Sequence, residues 1–274
     1  MTLPSRPRVV VTGAGSGLGR ALCLNLAARQ ARIIVSDVNV VGAEETVRMM
    51  KGGEGIVVAC DVARATEVDM LADEAYRRLG GVDLLINNAG VAVAGEIGEV
   101  PLADWEWVIG VNLWGVIHGC HSFAPRMRRE KTGHILNVAS AAGLLAGPMM
   151  GPYNVTKAGV VALSETLRAD LGKDGIGVSV LCPTFFQTNI SNSSRGASHL
   201  KPVIDELLAA GKLSADDVAR IAIEACDKND LYIAPHADGR WMWRMKRLAP
   251  ESFYNYFPRI ARWQLERIRK TVRA

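Results

Sequence analysis

Seven short runs rich in Val, Ile and Leu recur along this 274-residue chain, and segments of helical pattern separate them. The runs cover residues 8–12, 32–37, 55–61, 83–87, 134–140, 175–182 and 231–234. They are continuously apolar and do not alternate with polar residues, as expected of strands covered on both faces. Leu18, Leu22 and Leu26 then repeat every four residues, and Ser214 with Asp217 opens a helix running through Cys226. Strands alternating with helices over this length predict an α/β fold built on a doubly wound parallel sheet of about seven strands. Residues 1–238 read as that domain, with an insertion over about 189–212 as a lid and 239–274 as a helical C-terminal extension.

Composition narrows the setting. The five cysteines are odd in number, widely spaced and free of any C-x-x-C pair. Neither a disulfide framework nor a metal site is implied, and reduced, buried thiols in a cytoplasmic protein are expected. The first residues, Met-Thr-Leu-Pro-Ser-Arg-Pro-Arg, lack the apolar core of a secretory leader. The uncharged run 135–155 is broken by Gly143, Gly147, Pro148, Gly151 and Pro152, which suits an active-site loop and not a membrane span. Net charge is +4 but unevenly spread: from Pro235 onward ten Lys/Arg stand against three acids, so the first 234 residues carry −3. The main domain is therefore not a nucleic-acid binder by charge.

After the first strand the chain reads Gly13-Ala14-Gly15-Ser16-Gly17-Leu18-Gly19. Glycines there allow a tight turn and close approach of backbone to a pyrophosphate, and the following helix turns its free N–H groups toward the phosphates. Gly13, Ser16, Gly17, Leu18 and Gly19 are thus candidate cofactor contacts. Asp37 ends the second strand, where an acid hydrogen-bonds the adenosine ribose hydroxyls. It would also repel a 2′-phosphate, at a cost of about 1 kcal/mol in water and about 4 at an effective dielectric of 20. NAD is expected over NADP. Asp61 and Val62, after the third strand, are placed near the adenine. Asn88, Ala89 and Gly90, after the fourth, bring another small-residue turn to the same sheet edge.

Ser140 ends the fifth strand, and Tyr153 and Lys157 follow it by 13 and 17 positions. Tyr153 and Lys157 share one helix face at i, i+4 spacing. Taken with the glycine turn, Asn112, Pro183 and Thr188, this order and spacing over roughly residues 8–190 resembles the short-chain dehydrogenase/reductase (SDR) family. One departure is Thr184, where the family often has glycine after the proline.

The resemblance implies a Rossmann-type fold and hydride transfer between a nicotinamide cofactor and a carbonyl carbon. Tyr153 is then the general acid/base, its phenol drawn down by Lys157. Ser140 hydrogen-bonds the substrate oxygen, and Asn112 holds a water against the lysine. Pro183 and Thr188 meet the nicotinamide side. A homodimer or homotetramer is also implied.

Leu144, Met150, Phe185 and Phe186, with Ser140 and Tyr153, are expected to face the substrate. Their apolar character favours a lipophilic alcohol or ketone over a sugar or an acid. Two alternatives stay open: a 3-oxoacyl thioester reductase, against which Asp37 argues, and a non-catalytic dinucleotide sensor, against which the complete Ser/Tyr/Lys set argues. The basic aromatic extension reads either as a helix packed on the protein and walling the substrate entrance or as a peripheral membrane contact. Without a recognition motif, nucleic acid is not the expected partner.

Overall fold

The computed structural model describes residues 3–188, 190, 194–196, 201–257 and 259. The strands β1 (Arg8–Thr12), β2 (Arg32–Asp37), β3 (Glu54–Ala59), β4 (Leu84–Asn87), β6 (His134–Val138), β7 (Gly177–Leu181) and β9 (Tyr232–Ile233) form one sheet. Its order is β3-β2-β1-β4-β6-β7-β9, and every pairing is parallel. All seven strands lie where the apolar runs predict them.

Side chains along each strand alternate between two cores, as the pleat requires. Val10, Ile34, Leu85, Ile135 and Val178 face one side. There α3 (Ala65–Leu79), α5 (Gly115–Glu130) and α7 (Gly151–Gly172) cover them. Val9, Val11, Ile33, Leu84, Ile86 and Leu136 face the other. That face is covered by α1 (Gly17–Ala28) and α9 (Ala215–Asp227). The remaining helices are α2 (Val40–Met49), α4 (Leu102–Ile109), α6 (Ala141–Leu145), α8 (Lys201–Ala209) and α10 (Ala237–Leu248). A further helical stretch spans 250–257. The Ser214–Asp217 capping box at the start of α9 is formed in both directions, a contribution of about 1 kcal/mol.

Polar side chains also cross the core. Asn87 Nδ2 donates to Asn137 Oδ1 at 2.9 Å, and Asn137 Nδ2 donates to Ser164 Oγ at 3.0 Å. This buried chain ties β4 and β6 to α7, the helix that carries Tyr153 and Lys157. All five cysteines are buried free thiols.

A feature absent from the sequence reading is a second, two-stranded parallel sheet. It pairs β5 (Ala92–Ala94) with β8 (Ser194–Gly196) and so joins the insertion to the turn after β4. Part of the proposed lid, residues 189, 191–193 and 197–200, lies outside the described residues. Residues 260–274 of the extension do too, among them Trp263 and its neighbouring arginines.

Strand order reverses between β1 and β4. In an open parallel sheet this opens a crevice at the C-terminal edge. The glycine turn, Asp37, Asp61, Asn88, Ser140 and Pro183 all follow C-terminal strand ends at this edge.

Candidate active site

The glycine turn is fixed by sterics. Gly13 and Gly17 have φ of +63° and +50°, a region that side chains with a Cβ rarely adopt. A Cβ on Gly13 would stand 2.6 Å from Ala89 Cα, and one on Gly19 2.1 Å from the Gly13 carbonyl oxygen. Hydrogen bonds lock the turn to the end of β4. Thr12 Oγ1 accepts from the amides of Asn88 and Ala89 at 3.0 and 3.1 Å. Asn88 Nδ2 donates to the Thr12 and Gly13 carbonyls at 2.8 and 3.0 Å.

Ser16 caps α1 with no side-chain bond, which leaves the amides of the first turn to face an anion. Asp37 accepts from Gly15 N and Asn39 N, each at 2.8 Å. Its carboxylate therefore stands beside the turn. The nearest arginine on α1, Arg20, is tied to the Gly15 carbonyl and to Glu45, both at 2.6 Å. Asp61 Oδ1 closes its own turn by accepting from Ala63 N at 3.0 Å.

Tyr153 and Lys157 enter from the first turns of α7, whose start is fixed by Pro152. Both are buried. Lys157 Nζ donates to the Val138 carbonyl at 2.8 Å and lies 5.7 Å from the centre of the Tyr153 ring. Ser140 is the N-cap of α6, where its Oγ accepts from Ala142 N at 3.1 Å. Burial pushes the Tyr153 phenol up to about 12, and a hydrogen bond with the Ser140 hydroxyl pulls it the other way. Burial also pushes the Lys157 ammonium down to about 8. Burial thus shifts both groups toward their neutral forms. Desolvation dominates both groups, because α7 buries them against the sheet.

Asn112 sits at the centre of a π-helical turn, Gly110–Trp114, between α4 and α5. It is wholly buried, and its amide bonds both backbone groups of Val91, at 2.8 and 2.9 Å. A Cβ on Gly90 would lie 3.5 Å from Asn112 Oδ1 and 3.6 Å from Lys157 Nζ, so that glycine is the point where the two side chains converge.

A single cavity of about 1180 Å³ joins these groups. Gly13, Ser16, Gly17, Leu18, Gly19, Asp37, Asp61, Val62, Asn88, Ala89 and Gly90 line one end. Ser140, Tyr153, Lys157, Pro183 and Thr188 line its middle, and Met150, Phe185 and Phe186 the other end. Thr188 Oγ1 would stand 3.1 Å from a Cβ on Gly17, which ties the loop after β7 to the glycine turn.

Two expected residues do not line the cavity. Asn112 stands behind the wall at Val91. Leu144 and Leu145 are both buried in one core cluster, and of the two only Leu145 also lines the cavity.

A family model described as short chain dehydrogenase matches residues 7–198. The chain belongs to the short-chain dehydrogenase family. A crystal structure of an SDR from Burkholderia phymatum in complex with NAD superposes with a TM-score of 0.85 at 37% identity, covering 90% of this chain and 95% of that one. The CLA biosynthesis dehydrogenase/reductase of Lactiplantibacillus plantarum is 32% identical over 249 residues, 83% of this chain and 87% of that protein. A protein named "Probable oxidoreductase EphD" from Mycobacterium tuberculosis is 31% identical over 258 residues. This chain aligns with only 43% of EphD's length.

The cavity wall of this SDR oxidoreductase also includes residues that the sequence reading did not name individually. Trp107 of α4, Ile204 and Leu207 of α8, and Met242 of α10 line the cavity, with Phe257 and His236. No local motif marks them, since they are brought together from α4, α8, α10 and the helical stretch 250–257. Thr184, the departure after Pro183, has its amide bonded to His236 Nδ1 at 3.3 Å. The loop that glycine would leave free is thereby fastened to the start of α10. Lys246 Nζ and Tyr254 OH donate to the carbonyls of Leu144 and Leu145 at 2.6 and 2.9 Å. The described part of the extension thus packs on the domain beside Ser140. Among the described residues no helix is long and apolar enough to cross a membrane.

Proposed function

We propose that this oxidoreductase interconverts a lipophilic secondary alcohol and its ketone with NAD as cofactor. The observation that carries the reading is one cavity in which Ser140, Tyr153 and Lys157 stand between a phosphate-sized glycine turn with Asp37 and an apolar end. The turn fits a dinucleotide: Gly13 and Gly19 let it pack tightly, since a Cβ at either would strike main chain at Ala89 or Gly13, and the first-turn amides of α1 are uncapped by any side chain. Asp37 supports NAD, because it would meet a 2′-phosphate with like charge while Arg20 is engaged elsewhere. The bound dinucleotide supplies the hydride acceptor or donor.

Tyr153 handles the proton at the substrate oxygen. Held protonated by burial, its phenol enters carbonyl reduction as the acid, and the Ser140 hydrogen bond favours the phenolate needed for alcohol oxidation. Ser140 also orients the substrate oxygen, a role whose loss typically costs about 10²–10³ in rate. Lys157, pushed down to about 8 by burial, is held by the Val138 carbonyl with its Nζ 5.7 Å from the centre of the Tyr153 ring. Val93, Leu145, Met149, Met150 and Phe186 give the substrate end its apolar character, while Lys212 and Asp238 are exposed at its rim.

The test is a panel of lipophilic and polar secondary alcohols assayed with NAD and NADP at 340 nm. The highest kcat/KM is expected for a lipophilic alcohol with NAD, and Asp37→Ser should shift the NAD/NADP ratio about tenfold toward NADP. Activity confined to polyols, or an NADP preference in the parent, contradicts the reading.

A further inference from the structure

The two faces of α10 have different surroundings. The inner face is spent on the protein. Met242 lines the cavity, Trp243 packs on Tyr232 with ring centroids 4.8 Å apart, and Lys246 holds the Leu144 carbonyl. The outer face carries Trp241, Met245 and Leu248 at i, i+4, i+7 spacing, 63%, 39% and 80% exposed. Exposed single apolar residues are ordinary, but an aromatic–aliphatic stripe along one helix face is not. Arg240, Arg244 and Arg247 flank the stripe and are exposed, and Tyr256 adds an aromatic to the following helical stretch. The segment from residue 235 onward holds ten bases against three acids.

We propose that this face docks on an anionic lipid bilayer, with Trp241 and Leu248 in the headgroup layer and the arginines on lipid phosphates. Charge decides the occupant. A second copy would set one strongly basic segment against another, whereas an anionic bilayer neutralises the arginines and accepts the apolar stripe together. Docking also places the cavity mouth beside lipid, because the same helix supplies Met242 to the cavity wall. The claim stands apart from the substrate reading, since the surface would bind lipid whatever alcohol the enzyme oxidises.

The test sediments the full chain with vesicles of phosphatidylcholine alone and of phosphatidylcholine mixed with phosphatidylglycerol. The protein should pellet with the mixed vesicles, stay in the supernatant with phosphatidylcholine alone, and be released by added salt. Trp241→Ser/Leu248→Ser should lower partitioning about tenfold or more, with thermal midpoint and turnover of a water-soluble alcohol as in the parent. Arg244→Glu, which leaves the apolar stripe intact, should lower it severalfold as an independent check. A parent that fails to pellet, or variants that pellet as well as the parent, would overturn the proposal. A change in oligomer size with vesicle binding unaltered would assign the face to a second copy instead.

Discussion

The two ends of the cleft are built from different materials. The coenzyme end is backbone, glycine and short polar side chains, bound by hydrogen bonds that run between Thr12 and Asn88. The other end, the proposed substrate site, is a set of apolar side chains delivered by α4, α8, α10 and the loops after β6 and β7. The first end is specified sterically, since one misplaced Cβ overlaps main chain. At the second, any apolar side chain of similar volume fills the same space, so changes there should grade the preference and leave the reaction intact.

Two substitutions separate these regimes. Gly13→Val puts a branched side chain at a φ of +63° and its Cβ 2.6 Å from Ala89 Cα. NADH binding, followed by fluorescence, should weaken at least about a hundredfold. A loss below about threefold would break the comparison. Met242→Ala removes one apolar wall residue. It should raise KM for lipophilic alcohols about threefold to tenfold and leave the coenzyme KM as in the parent. An equal effect on coenzyme would show that the two ends are not independent.

The same contrast explains what the sequence could disclose. The bounds of β1 and β2 follow directly from their β-branched runs, and the Ser214 cap marks the start of α9. These are local signals, and the glycine turn is another. The pairing of β5 with β8 has no such signal, because three-residue strands containing Ala and Gly meet across about a hundred positions of sequence. Leu145 and not Leu144 lines the cavity, a choice between neighbouring leucines in one short turn of helix that periodicity cannot make. Met242 and His236 entered the site only through the tertiary placement of α10.

The protonation states belong to the same class. Spacing brings Lys157 to Tyr153, but only the packing of α7 against the sheet shows that burial shifts both groups toward their neutral forms. The Ser140–Tyr153–Lys157 cluster was thus legible as a set of residues and illegible as a set of charges.

The central claim is that the Tyr153 hydroxyl moves the proton at the substrate oxygen while the coenzyme end works independently of it. The most direct measurement is Tyr153→Phe, which deletes one oxygen from a buried ring. Turnover of the best alcohol should fall about 10²–10⁴-fold, with the NADH dissociation constant and thermal midpoint close to the parent's. Turnover within about threefold of the parent would contradict the account and assign the proton to another group in the cleft.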